Sequence, residues 1–342
     1  MSAGSDAPAG REERRIGSWI LAETLGRGGA GVVYAATHAE TGARGALKLA
    51  RPDGSALESH WFAREARLAA RLRHPYVVAL LEHGRTDDEQ PYLVYERVDG
   101  RSLEDAVDWL DLHQIVRVGG ELFEALGYAH DAGVVHCDVT PPNVLLDDNA
   151  GGAARLIDFG LAKARDEASA LRLAAGVQIS GTPGYLSPEQ ARGASSPGPA
   201  SDLFGCGAVL FRALTGYAPY GGSSAMEIVH HTLTAAPLPL RPRQGLRAPA
   251  QLAEVVERLL ARDPEQRYPS AAQARQAWLE AARAHTPAEG ASRSALLRSP
   301  SLPSMETIRV EPLTSTPGER AVLFSTVRAT PSAGLDRGAV HR

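Results

Sequence analysis

Val134-Val135-His136-Cys137-Asp138-Val139-Thr140-Pro141-Pro142-Asn143-Val144-Leu145-Leu146 sets a group of polar residues between two aliphatic or β-branched runs. The proline pair forbids a helix there, because proline lacks the N–H and its ring clashes with the preceding turn. The segment therefore has to be a loop carried on a scaffold. Asp138 and Asn143 stand five residues apart across that loop, close enough to converge on one point. Further along, Arg155-Leu156-Ile157-Asp158-Phe159-Gly160 offers a second acid at the end of a strand-like run. Two carboxylates and an amide suit magnesium and a hydroxyl group. Taken singly, each acid reads equally well as a turn or cap residue.

Upstream, Gly26-Arg27-Gly28-Gly29-Ala30-Gly31 fits G-x-G-x-x-G, and glycines let a backbone bring its N–H groups close to phosphate oxygens. A plain hairpin turn explains the same glycines. A strand follows this turn, not a helix, which disfavours a dinucleotide-binding turn and favours a loop folded over nucleotide phosphates. In Ala46-Leu47-Lys48-Leu49 a strand period of two puts Ala46 and Lys48 on one face and the leucines on the other. Seen alone, Lys48 would be a strand lysine reaching to solvent. The next segment, 56–72, has helical spacing, and Trp61, Glu65, Leu68, Ala69 and Leu72 share a face. That spacing sets one carboxylate inside an apolar stripe, where it requires a cation; Lys48 is the nearest in sequence.

Further out, strands are expected at Trp19–Ala36 around the glycine turn, at Ala46–Ala50 and at Tyr92–Val98. Helices are expected from Trp109 to about Ala132, over Leu203–Leu214, and at 249–261 and 270–284. The order predicts a small sheet with one helix followed by a larger helical region, with a ligand cleft between two lobes. Lys and Arg number 36 against 40 Asp and Glu, a net −4 that gives no overall pull toward nucleic acid or anionic membrane. Two cysteines, Cys137 and Cys206, are too few for a disulfide framework or a four-ligand zinc site, and the cytoplasm is the expected setting. No secretory signal or spanning helix is expected. From residue 285 onward, 14 Ser or Thr and 6 Pro fall within 58 residues, the composition of a disordered tail.

Together these pieces resemble, in order and spacing, the eukaryotic-type (Hanks-type) protein kinase family, with wording similar to its bacterial serine/threonine members. Further matches are His74-Pro75, the hinge-like Tyr92-Leu-Val-Tyr-Glu-Arg-Val-Asp-Gly100 and the peptide-seating Gly181-Thr-Pro-Gly-Tyr-Leu-Ser-Pro-Glu189. Ser201-Asp202-Leu-Phe-Gly-Cys-Gly207 and Arg262-Asp-Pro-Glu-Gln-Arg267 complete the set. The resemblance implies an α+β, bilobal protein-kinase fold over residues 18–284, with a small β-rich N-lobe (about 18–96) holding one key helix and a larger helical C-lobe (about 97–284). A flexible stretch 1–17 would precede it and the tail 285–342 would follow.

The same resemblance implies ATP and magnesium as cofactors and a protein Ser or Thr as acceptor. Gly26, Gly28 and Gly31 would cover the phosphates, Lys48 would bind them while held by Glu65, and Asn143 and Asp158 would hold magnesium. Asp138 would orient the acceptor hydroxyl and take its proton. Leu25, Val33, Ala46 and Leu145 would enclose the adenine, Glu96 and Val98 would offer it hinge backbone groups, and Tyr95 would be a bulky gatekeeper. Asp202 reads either as an N-cap or, by resemblance, as support for the catalytic loop. Glu189 and Arg267 would form a buried ion pair. Ser299-Pro300 and Thr316-Pro317 are candidate autophosphorylation sites, against the plainer reading of a passive tail.

The sequence departs from the family's pattern at Cys137, where an arginine is usual, and at Thr140, where a lysine is usual. The first departure implies weak dependence on phosphate at Ser169, Ser180 or Thr182. The second implies a slow enzyme. Together they motivate the alternative of a nucleotide-binding pseudokinase scaffold.

Overall fold

Alternation along six short strands builds the first lobe. β1 (Arg15–Ile16), β2 (Trp19–Gly28), β3 (Gly31–His38), β4 (Arg44–Leu49), β5 (Leu80–Arg85) and β6 (Pro91–Glu96) form one antiparallel sheet in the order β1-β2-β3-β4-β6-β5. In β4, Leu47 and Leu49 enter a cluster with Trp19, Tyr92 and Val94, so Lys48 leaves on the opposite face. Helix α1 (Ala56–Ala69) packs Phe62, Ala66 and Ala69 with Ala50, Leu80 and Leu93. Leu93 is the register partner of Lys48, so this helix lies over the Lys48 face.

The computed structural model describes residues 14–28, 31–52, 54, 56–159, 171–172, 178–179, 182–193 and 197–284, all within one compact unit, Met1–Glu289. The tail, residues 1–13, Ser169 and Ser180 lie outside the described residues, as does the side chain of Trp61. The sheet starts at Arg15, ahead of the Ser18 expected from sequence: Gly17, at φ 56°, turns the chain so that Ile16 pairs with Trp19. A two-residue strand is too short to leave an alternation.

The second lobe begins with β7 (Gly100–Ser102) and α2 (Leu103–Ala106), followed by the long α3 (Leu112–Asp131). Helix α3 starts at Leu112, not at Trp109, because Asp111 closes a capping box: the Gln114 amide donates to Asp111 Oδ1 at 2.8 Å and the Asp111 amide to Gln114 Oε1 at 2.9 Å. β8 (Val144–Asp147) and β9 (Ala153–Leu156) join β7 in a small antiparallel sheet. β10 (Leu171–Arg172) pairs with β11 (Gln178–Ile179), and α4 (Pro188–Ala191), α5 (Pro199–Thr215), α6 (Ala225–Thr234), α7 (Ala250–Leu259) and α8 (Ala271–Arg283) complete the lobe.

Helix α5 is apolar nearly all round and correspondingly lies at the centre of the core, beside α3 and α7. Trp278 of α8 is fully buried and donates its indole N–H to the Val116 carbonyl at 2.8 Å. It fits because Gly119 of α3 presents no side chain where the indole nitrogen stands. The two-lobed α+β arrangement is thus the one the sequence led us to expect, and the chemistry-bearing residues come from β4, α1 and the loops flanking β8 and β9.

Candidate active site

Lys48 is placed by its strand and locked by two acids from different elements. Its ammonium donates to Glu65 Oε1 and Oε2 of α1 at 2.8 and 3.1 Å, and to Asp158 Oδ1 at 3.0 Å. Lys48 is 8% exposed and Glu65 1%, so removing either charge alone would strand its partner in low dielectric. Burial by itself pushes the Lys48 ammonium down, but Asp158 and Glu65 together outweigh it and hold the group above the ordinary lysine range. Lys48 is therefore a fixed cation, not a proton donor or acceptor.

Tyr95 adds a third contact to this cluster, one that sequence reading did not foresee. Its hydroxyl donates to Glu65 Oε1 at 2.7 Å, and burial, with the charges of Glu65 and Asp158, pushes the phenol well above its usual range. It stays a neutral donor. Hydrogen bonds to charged groups contribute about 1.5–3 kcal/mol. Tyr95→Phe is accordingly expected to lower the unfolding free energy by that order in denaturant titration; a change below about 0.5 kcal/mol would show that Glu65 does not rely on the hydroxyl.

Cross-strand register places several of the nucleotide-pocket candidates together. Val33 pairs with Lys48 and Gly26 with Val33, while Ala46 pairs with both Ala35 and Tyr95; opposed residues share a sheet face. Gly26, Val33, Ala46, Lys48 and Tyr95 therefore all look to the same side. Leu25 is 44% exposed, and Leu145 on β8 is half-buried. The Glu96 amide is taken by the Ala79 carbonyl at 2.9 Å, so any contact from Glu96 to a base has to come from its carbonyl. Val98 follows in the half-buried hinge. Gly26 and Gly28 have open space where a side chain would begin, whereas Gly31, at φ 141°, has the Leu49 carbonyl there. Gly31 is thus demanded by strand packing, independent of any ligand.

The loop Val134–Thr140 is held by buried polar groups. The Asn143 amide nitrogen donates to the Asp138 carbonyl at 2.8 Å and to Asp138 Oδ2 at 3.0 Å, while the Ile157 amide donates to the Asn143 carbonyl at 2.9 Å. Asp138, Asn143 and the residue before Asp158 are thereby tied together. The Asp138 amide donates to His136 Nδ1 at 3.2 Å, so the ring proton sits on Nε2 and is donated to the Ile157 carbonyl at 2.9 Å. Thr182 lies with its hydroxyl 3.4 Å from Asp138 Oδ1.

Asp202 resolves the two readings left open for it. The N-cap of α5 is Gly198, not Asp202. Asp202, 1% exposed, accepts the His136 amide at 2.8 Å and the Cys137 amide at 2.7 Å, and its Oδ2 lies 2.8 Å from His130 Nε2. It supports the loop. Burial, with Asp202 and Asp138 adding their charges, pushes the Cys137 thiol up to about 12, which rules it out as a thiolate nucleophile near neutrality.

Comparison with known proteins decides the family. The protein kinase domain family matches residues 19–279. The chain belongs to the protein kinase family. Among curated relatives, the serine/threonine-protein kinase PknB of Mycobacterium leprae is 36% identical over 265 residues, covering 75% of this chain and 41% of the relative. PknK of Mycobacterium tuberculosis is 38% identical over 256 residues, covering 73% and 22% respectively. The chain thus spans well under half the length of these relatives. Among solved structures, a double mutant of the Mycobacterium tuberculosis PknI kinase domain is similar with a TM-score of 0.61 at 25% identity, covering 80% of this chain and 99% of that one.

In this kinase domain the Lys48 contact to Asp158 is one of several that join the two lobes, beside the Leu156 bonds to Tyr76 and Val78 and the Arg44–Asp99 pair, and a sequence can suggest it only by its motif order. Thr182 and Gln190 were not singled out as site residues by sequence; both lie in the segment after residue 181, whose position over the loop depends on long-range packing. The Glu189–Arg267 pair is present, at 2.7 and 2.9 Å, with Ser201 also donating to Glu189 at 2.7 Å.

Proposed function

We propose that this kinase domain transfers the γ-phosphoryl group of ATP to a serine or threonine hydroxyl of a protein. The observation that carries the reading is the joining of buried Lys48 and Glu65 with half-buried Asp158 in one ion cluster, with Asp138 and Asn143 hydrogen-bonded to each other and tied to Ile157. Such chemistry needs positioned charge more than covalent participation. Lys48 neutralises non-bridging phosphate oxygens. Asp138 accepts the hydroxyl proton as the oxygen attacks the γ-phosphorus and ADP departs. Thr182, beside Asp138, limits where the acceptor hydroxyl can sit.

One carboxylate and one amide oxygen, from Asp158 and Asn143, fit a magnesium ion that takes its remaining ligands from phosphates and water. Among the described residues no cluster of three His, Cys, Asp or Glu could hold a metal. When bound it supplies neutralisation of the β- and γ-phosphate charge.

The serine/threonine assignment rests on the segment 181–189 and on the relatives named above; a protein acceptor, including this chain itself, follows from it. Both thiols are free and Cys206 is fully buried, which suits a reducing, cytoplasmic setting. No helix among the described residues is long and apolar enough to cross a membrane.

Thr140, 2% exposed, carries no positive charge toward the transferring group, so turnover is expected to be slow. Thr140→Lys should raise kcat by about tenfold, the scale of one electrostatic contact of ~1.4 kcal/mol; an unchanged kcat in a folded variant would remove this explanation. The function itself is tested by incubating the purified chain with magnesium, γ-labelled ATP and a generic protein acceptor, followed by phosphoamino-acid analysis. Label on serine or threonine supports the proposal. ATP binding with no transfer would establish a scaffold instead.

A further inference from the structure

We infer that Gln190 is a positioning residue for the catalytic loop, joining the peptide-seating segment to the residue that precedes Asp138 through an uncharged contact. The inference rests on the function proposed above and adds to it the means by which the loop is held without a charged partner at residue 137.

The geometry is two-sided. Cys137 adopts a left-handed conformation, φ 67°, that side chains other than glycine rarely take. Such a conformation persists only where the surroundings over-determine it. Here both ends of the residue are gripped: its amide donates to Asp202 Oδ1 at 2.7 Å, and its carbonyl accepts from Gln190 Nε2 at 2.7 Å. Asp202 comes from α5 and Gln190 from α4, so two independent elements fix the peptide units on either side of Cys137. The second of those units leads directly into Asp138. Among the described residues the Cys137 side chain makes one weak hydrogen-bond contact, Sγ to the Val135 carbonyl at 3.8 Å, too weak to perform this anchoring.

Gln190 uses its two amide atoms for different tasks. Oε1 accepts from the Ser187 amide at 3.1 Å and lies 3.0 Å from the Ser187 hydroxyl, closing the cap of α4. Nε2 serves the Cys137 carbonyl. The neighbouring Glu189 meanwhile turns to Arg267. Helix α4 is therefore a bracket, anchored to the core by one residue and holding the loop with the next. The bracket contains no group whose charge depends on phosphorylation.

The division of labour makes the role separable from helix capping. Gln190→Glu keeps an acceptor for Ser187 but exchanges the donor for a negative charge facing the Cys137 carbonyl; Gln190→Met loses both groups and introduces no charge. With the labelled-ATP assay, both variants are expected to lower kcat about tenfold, the order that a small misplacement of a catalytic group produces. KM for ATP should stay within about twofold, since no nucleotide contact is touched, and both variants should remain folded at the assay temperature, as followed by thermal melting. Phosphatase-treated wild type, run alongside, should retain its rate. Wild-type kcat in Gln190→Met, or a fall confined to Gln190→Glu, would overturn the inference, the latter exposing simple charge repulsion. Failure of the wild type to transfer phosphate would instead refute the proposed function.

Discussion

Asp138→Asn is expected to lower kcat by ~10²–10⁴, the range that loss of a general base produces, with nucleotide affinity nearly unchanged. The structure explains why the change should act on chemistry alone. Asp138 Oδ2 accepts from the Asn143 amide nitrogen and Oδ1 lies beside the Thr182 hydroxyl. An asparagine can place its carbonyl toward Asn143 and its NH₂ toward Thr182, whose hydroxyl accepts as readily as it donates. Both neighbours remain satisfied and the loop keeps its backbone bonds to Asp202 and Gln190. What disappears is the negative charge, and with it the capacity to take a proton. The Lys48, Glu65 and Asp158 cluster is untouched, so titration with a fluorescent ATP analogue should give a Kd within a few-fold of wild type. Transfer at the wild-type rate would remove Asp138 from the role of base; lost nucleotide binding would show that it holds the site together.

How far this arrangement could be read beforehand depended on the range of each interaction. The alternation in β4 alone put Lys48 opposite Leu47 and Leu49, and helical spacing alone put Glu65 inward, because both are local consequences of backbone periodicity. Their pairing was inferable because a buried acid requires a cation. The polar loop was legible from Pro141-Pro142 only in part: proline is tolerated at the first positions of a helix, and Pro141–Asn143 form one 3₁₀ turn that the sequence reading excludes. Asp202 was not settled, since a carboxylate in the first turn of a helix looks like a cap wherever it points; the difference is made by a backbone 65 residues away in sequence. The Tyr95 hydroxyl and the Gln190 amide left no periodic trace at all, being single polar atoms whose partners come from other elements. Helix α6 also went unread, although Ser224 caps it and Met226, Val229 and Leu233 share one face at helical spacing.

Removing Arg267 is expected to destabilise the domain by ~3–5 kcal/mol, the cost of leaving one member of a buried pair uncompensated. Arg267 is 1% exposed and its guanidinium is fully used: it bonds both Glu189 oxygens and reaches the Ala200 and Ala261 carbonyls at 2.7 and 2.8 Å. It also lies over the Phe204 ring at 5.0 Å. Arg267→Met fills similar volume but supplies none of these donors. The effect has a pH signature. Burial would raise the Glu189 carboxyl, but Arg267 and Ser201 outweigh it and hold it below the usual range. A carboxyl depressed in the folded state contributes stability above its unfolded pKa, and that contribution is lost as pH falls through the folded pKa. The wild type therefore gains from the pair at neutral pH and loses the gain on acidification below about pH 4. In Arg267→Met the depression is gone, so the stability gap between the two proteins, followed by urea unfolding from pH 7 downward, should narrow as acid is added. A gap that is constant across that interval would assign the loss to packing around Phe204 and not to the ion pair. Because Glu189 precedes Gln190 in α4, a genuine loss of the pair should also loosen the bracket on Cys137 and lower kcat in the molecules that remain folded.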